Sequence, residues 1–234
     1  MSTREHEHKP AITERLSSFL QRSRIPLLVT LIVLVVFVVG YFGWTEWQRR
    51  ARENSAVQGE AAQKLYQEWQ SEPDPEAKKG LEEELRNRLV GIRKSYPRQY
   101  AAQRAAFIQG NLEYQLENWQ EAAEAFRGLG TRAPKSYLAP LAFMNAGISY
   151  ERMEDADQAI AAYQRVVDGY PESFLVPEVL FTIGRVQEQK GDFAAAEQAY
   201  NRLEGEHPLS NWTKLARNRI IALKIDGKLS GEGE

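Results

Sequence analysis

The sequence predicts an all-α fold: a single transmembrane helix followed by an α-solenoid of stacked helix–turn–helix units with a 37-residue period. Two observations predict the solenoid. Prolines at 97, 134, 171 and 208 stand 37 residues apart. Three further columns keep that step: Gly110/Gly147/Gly184, Ala122/Ala159/Ala196 and Phe126/Tyr163/Tyr200. A third observation predicts the membrane helix, since residues 25–43 carry no charged side chain.

Composition bounds the function. Apolar residues make up 43% of the chain and charged residues 26%, which is ordinary for a globular protein. A net charge of −2 lacks the basic footprint of a nucleic-acid binder, so no nucleic-acid partner is expected. There is no cysteine. That excludes a disulfide framework, a thiolate nucleophile, a cysteine zinc site and a lipid-modified N-terminal cysteine.

Residues 1–24 read as a cytoplasmic head. His6 and His8 stand two residues apart and would diverge on a helix, which argues against a metal site. Ile12, Leu16, Phe19 and Leu20 fall on one helical face with Arg15, Gln21 and Arg22 off it. The segment is either a short amphipathic helix on a membrane surface or a plain juxtamembrane linker.

Residues 25–44 form the anchor. Nineteen uncharged residues at the helical rise span ~28 Å, about one hydrocarbon core. Tyr41, Trp44 and Trp47 supply an aromatic belt at its far edge. The apolar run is long for a signal peptide and no A-x-A site follows, so a retained span is expected. Arg4, Lys9, Arg15, Arg22 and Arg24 precede it, against Arg49, Arg50, Arg52 and Lys64 in the next twenty residues. Five against four barely biases the orientation under the positive-inside rule. A short N-terminal tail kept inside, with the large C-terminal domain exported across a bacterial inner membrane into the periplasm, is an ordinary signal-anchor arrangement and is the expectation. Repeats in the cytoplasm docking soluble partners are the alternative.

Residues 45–97 read as a helical stalk and a degenerate first repeat. Ala56, Ala61, Leu65 and Trp69 lie near one face of the first helix, and Ser71-Glu-Pro-Asp-Pro75 breaks it. Leu81, Leu85, Leu89 and Ile92 make the stripe of the second, which stops at Tyr96-Pro97. Terminal units of a stack are often atypical because they cap it.

Residues 98–208 hold three full units. Gly110, Gly147 and Gly184 lie mid-helix, where glycine costs about 1 kcal/mol against alanine, so a neighbouring helix is expected to approach closely there. Turn signals follow at Glu117-Asn118, Glu154-Asp155 and Gly191-Asp192. After each turn an alanine (Ala122, Ala159, Ala196) and an aromatic residue four positions on share one helix face. Pro134, Pro171 and Pro208 end the second helices. Ser136, Ser173 and Ser210 are predicted to cap the next helices, with Pro140 and Pro177 in their first turns.

These columns closely resemble the tetratricopeptide repeat over roughly residues 103–208, best in the stretch from Phe143 to Pro171. The period of 37 departs from the usual 34 and resembles the longer repeats of bacterial envelope proteins. The resemblance implies a concave surface lined by the first helices of the units. Its inward positions fall on Arg104, Phe107, Asn111 and Tyr114, then Leu141, Met144, Ile148 and Glu151, then Glu178, Phe181, Arg185 and Glu188. Such a groove suits a peptide or helix, with Phe107, Met144 and Phe181 as apolar anchors; the alternative is that these residues pack against the stalk or the terminal helix. Of the residues that clamp a chaperone's C-terminal carboxylate in this family, only Asn111 has a counterpart, and Phe107 stands where a lysine belongs.

Residues 209–225 form one more amphipathic helix, with Trp212, Leu215, Ile220, Ile221 and Leu223 covering the last repeat, and 226–234 a polar tail. Asn211-Trp-Thr fits a helix start better than a glycosylation acceptor.

No chemistry-bearing constellation appears. The glycines sit at repeat spacing rather than in a phosphate-cradling loop, His207 ends a helix, and Glu82-Glu83-Glu84 reads as a solvated face. The expectation is a protein without catalytic activity or cofactor. The order of amphipathic head, span, Gly43-Trp44, stalk and repeats resembles the ancillary subunit of the bacterial Sec translocon, most strongly over residues 12–70. That resemblance implies a membrane-tethered scaffold recruiting exported proteins or periplasmic chaperones near translocon subunits. A self-associating adaptor of an envelope complex is the alternative.

Overall fold

A computed structural model describes the backbone of residues 12–229 and the side chains of residues 25, 26 and 28–229. His6, His8, the final Ser-Gly-Glu-Gly-Glu stretch and the side chains of the proposed amphipathic face at 12–20 lie outside that description. The described residues form nine α-helices and no strand: α1 Ile12–Ser71, α2 Pro75–Ser95, α3 Tyr100–Gln115, α4 Trp119–Arg132, α5 Ala139–Arg152, α6 Ala156–Gly169, α7 Val176–Lys190, α8 Phe193–Glu206 and α9 Asn211–Ile225. The chain divides into two units at Glu53/Asn54.

In the first unit α1 runs unbroken through Pro26 into the apolar run, so residues 12–20 do not form a separate short helix. Proline removes one backbone donor, and the helix continues past it. From Leu28 the helix is long and apolar enough to cross a membrane, and its apolar side chains are exposed within the chain. The hydroxyl inside this run is satisfied locally, because Thr30 Oγ1 donates to the Pro26 carbonyl at 2.9 Å, and Tyr41 stands at the run's far end. Between Trp44 and Trp47, Glu46 pairs with Arg49 and Arg50 at 3.0 Å each.

The second unit has two contiguous cores. One joins the end of α1 to α2 and α3 through Leu65, Tyr66, Trp69, Leu85, Leu89, Ile92, Ile108 and Leu112. The buried face of α1 is Ser55, Gly59, Ala62, Leu65, Tyr66 and Trp69. Leu65 and Trp69 are buried as expected, whereas Ala56 is exposed and Ala61 only half-buried, which corrects the first half of the expected stripe. This face packs on α3, where a Cβ added at Gly59 would meet Ala101 at an ordinary contact distance of 3.4 Å. The larger core runs from Ala106 on α3 to Ala216 on α9.

Each repeat is knit by a contact between two of its own columns. A Cβ on Gly110 would stand 2.6 Å from the Phe126 ring, on Gly147 2.4 Å from Tyr163, and on Gly184 2.3 Å from Tyr200. The glycine column therefore exists so that the aromatic column of the following helix can lie on bare backbone. Ala122, Ala159 and Ala196 are fully buried beside it. The residues before the prolines, Ala133, Tyr170 and His207, leave the helical region with φ of −128°, −141° and −134° and ψ of 61°, 57° and 58°, away from the α conformation that a following proline ring disfavours.

The serine column behaves differently from the expectation. Ser136 Oγ and Ser173 Oγ accept from Leu138 N and Leu175 N at 3.2 and 3.3 Å, but α5 and α7 begin only at Ala139 and Val176. Those serines cap a single tight turn, closed by Ala139 N to Ser136 O and Val176 N to Ser173 O, that precedes each helix. Only Ser210 caps an α-helix directly, accepting from Trp212 N at 3.2 Å.

The turns inside the repeats form a further column. Glu117, Glu154 and Gly191 have φ of 61°, 58° and 81°. Only the third has the residue that adopts this conformation without a Cβ clash. Glu154→Gly is expected to stabilise the fold by about 1 kcal/mol, read as a higher urea midpoint by circular dichroism in detergent. Asp155 and Asp192 then cap α6 and α8 through Oδ1 at 3.0 Å, whereas Asn118 turns its amide to Glu113 instead.

The last helix, α9, packs on α7 and α8 through Thr213, Ala216 and Leu223, with Trp212 and Ile220 half-buried. Leu215 and Ile221 are exposed, contrary to the predicted stripe. Small Thr213 and Ala216 make the close contact, with the Thr213 hydroxyl bonded to the His207 carbonyl at 2.6 Å.

Candidate functional site

The first helices α3, α5 and α7 carry the twelve positions expected to line a groove, in four columns 37 residues apart: Arg104/Leu141/Glu178, Phe107/Met144/Phe181, Asn111/Ile148/Arg185 and Tyr114/Glu151/Glu188. All twelve are half-buried, the burial that a residue at the floor or wall of an open groove has. Their partners divide the groove into two parts.

In the third unit the chain fills its own groove. Phe181 lies between Tyr200 and Trp212, with ring centroids 5.6 and 5.3 Å apart. Glu188 accepts from the Tyr200 hydroxyl at 2.5 Å and pairs with Arg219 of α9. Burial pushes the Glu188 carboxyl up, but the bonds from Arg219 and Tyr200 hold it below the usual carboxylate range. Phe181 and Glu188 thus serve the packing of α9. A hollow of about 520 Å³ remains beside them, lined among others by Arg185, Gln189 and Lys228.

The same device repeats one unit earlier. Tyr163 donates to Glu151 at 2.5 Å, and Arg185 reaches Glu151 Oε2 at 2.6 Å. Burial, then the Glu151 carboxylate, push the Tyr163 hydroxyl far up, so it stays a proton donor at every physiological pH. Each tyrosine holds a carboxylate twelve residues before it, and an arginine from the next inner helix neutralises that carboxylate. The sequence pattern marks the aromatic column as packing; the change from Phe126 to Tyr163 and Tyr200 is the signal that adds this polar role.

The first unit lacks the device, because Tyr114 and Phe126 stand where Glu151 and Tyr163 stand in the second. Here the groove is open. Asn111, Tyr114, Phe126, Asn145 and Ile148 line a hollow of about 230 Å³. Tyr114 is held by Trp119 at 4.8 Å between centroids and accepts from Arg152 Nε at 3.1 Å. Phe107 packs edge-on to Phe126 at 5.4 Å. Two side-chain amides, an aromatic wall and an apolar floor offer hydrogen bonds to a peptide backbone beside a pocket for one side chain. Asn145 belongs to no repeat column, since its counterparts Ile108 and Thr182 are of different types.

Comparison with known families matches this architecture. A family model described as tetratricopeptide repeat-like domain matches residues 28–146, and one described as tetratricopeptide repeat matches residues 144–211. No curated protein matches the chain. The first match reaches well upstream of the repeats and begins inside the apolar part of α1.

Proposed function

The chain belongs to the tetratricopeptide repeat-like domain family, and from that premise we propose that it is a membrane-anchored scaffold for protein–protein interaction. Repeats of this kind are protein-interaction modules. One observation carries the anchored form of the reading. The family match starts at Leu28, so the exposed apolar helix belongs to the same matched unit as the stalk and first repeats. A cleaved leader has no reason to be shared with the domain it delivers.

In this reading residues 25–44 cross the bacterial inner membrane with the N-terminus cytoplasmic and the repeats periplasmic. The open groove of the first two units, around Asn111, Tyr114, Asn145 and Ile148, takes an extended peptide or one helix of an exported protein or periplasmic chaperone. Tethering raises the effective concentration of that groove near translocon subunits without any added contact. The third unit contributes little to recognition, because α9 already satisfies Phe181 and Glu188.

The test is site-specific photo-crosslinking in native membranes, with the probe at Asn111 and, as a control, at Phe181. Capture of translocon subunits, exported chains or periplasmic chaperones from Asn111 and much less from Phe181 is expected. Crosslinks only between copies of the chain would instead establish a self-associating adaptor, and cytoplasmic partners would reverse the orientation.

A further inference from the structure

A second surface lies away from the groove, at the joint between the stalk hairpin and the first repeat. The ends of α2 and α4 and the start of α3 enclose a hollow of about 1000 Å³. Arg93, Lys94, Arg98, Arg132 and Lys135 line it, and no acidic residue does. Among the described residues none of these five forms an ion pair, although the domain pairs most of its other arginines. Arg93 is half-buried and donates to the Gln109 carboxamide; burial, then the charge of Arg132, push its pKa down. Five cations gathered without a counterion are electrostatically unfavourable in the free protein.

The repeat itself supplies the comparison. One period on, the space is filled: Phe143 and Tyr170 replace Ala106 and Ala133, with rings 6.3 Å apart and the Tyr170 hydroxyl bonded to the Pro134 carbonyl at 3.0 Å. The cationic positions become Gly130, Thr131, Lys135, Gly169 and Glu172 there, and Val167, Asp168, Glu172, Glu206 and Leu209 in the period after. Only the first joint is both emptied and basic. Its floor is apolar (Ala106, Leu129, Ala133), and Tyr137, 72% exposed, stands at its edge.

We propose that this hollow binds an acidic segment of a partner protein, whose aromatic or bulky apolar side chain enters over Ala106 and Ala133 while flanking carboxylates pair with the arginines and lysines. The neighbouring joint shows that this space accepts aromatic rings, and the basic rim matches acidic flanks. A flat lipid headgroup layer would meet exposed Lys94, Arg98 and Lys135 but not the half-buried Arg93. The site is independent of the groove, so its failure would leave the scaffold reading intact.

The test uses the full chain in neutral detergent and a fluorescein-labelled Glu-Asp-Phe-Glu-Asp peptide, followed by anisotropy at about 50 mM salt, where screening is weak. Binding is expected to weaken about tenfold or more for the Gln-Asn-Phe-Gln-Asn peptide, and likewise for the Arg132→Glu/Lys135→Glu protein. Ala133→Tyr keeps every charge and copies the arrangement at Tyr170, so it folds, and it too should weaken binding about tenfold. Equal binding of the two peptides, or indifference to both variants, would overturn the proposal. So would a charge reversal that abolishes only flotation with phosphatidylglycerol vesicles, which assigns the surface to lipid. A charge reversal that dissolves an oligomer in sedimentation, with no peptide binding, would assign it to a second copy.

Discussion

Tyr163→Ala is expected to destabilise the repeat domain by about 3–5 kcal/mol, the range for deleting a buried aromatic ring. Tyr163 is fully buried against the bare Cα of Gly147, and its hydroxyl is one of the two groups that hold Glu151. Tyr163→Phe removes only the bond to that carboxylate and should cost about 2 kcal/mol. Gly147→Leu attacks the same contact from the other side, and overpacking of this kind costs about 1–3 kcal/mol. The double variant should lose less than the sum, since the leucine enters the space the ring vacates. Urea titration of the full chain in detergent, followed by circular dichroism, reads all four. A Gly147→Leu protein as stable as the parent would mean that the ring does not lie on that glycine.

Arg86→Ala should cost about 3 kcal/mol at neutral pH, because it strands a buried charge. Glu113 is 3% exposed; both its oxygens face Arg86, and Asn118 donates to Oε2 at 2.9 Å. The cluster ties α2 to α3 and to the turn at Glu117. Burial pushes the Glu113 carboxyl up, but the bonds from Arg86 and Asn118 outweigh it and leave the group below its ordinary value. A folded pKa below the unfolded one stabilises the protein above the unfolded value, about 4.3, and that contribution is lost as pH falls through the folded value. Without Arg86, burial acts with less opposition and Glu113 takes up a proton at higher pH. The melting-temperature gap between parent and variant should therefore be widest near pH 7 and shrink below about pH 5. A gap independent of pH would mean that Arg86 acts through packing alone.

The repeat was legible because its columns are short-range and physical. A glycine, an alanine and an aromatic residue recur at fixed spacing because one helix contact needs them, a proline recurs because each second helix stops there, and four columns in register define helix, turn and stop. Even the corrections are local. Ser136 and Ser173 do bond at the repeat boundary, but Pro140 and Pro177 favour a helix that starts just before them, so one tight turn precedes it. In α1, Leu65 and Trp69 were legible, whereas Ala62 reads like its neighbour Ala61 until α2 and α3 pack into the same core.

The sequence by itself determined the all-α stack, its period, its stops and the apolar helix ahead of it. Those follow from backbone sterics and from periodic burial, which operate within a few turns of chain. Tertiary structure alone decided which inner positions remain open. Phe181 and Glu188 carry the same residue types expected of a groove, yet Trp212 and Arg219, 31 positions further on in each case, occupy them. It also decided that five cations spread over residues 93–135 face one hollow. Contacts between residues so far apart depend on the superhelical placement of whole helices, and no spacing rule within one helix encodes that placement.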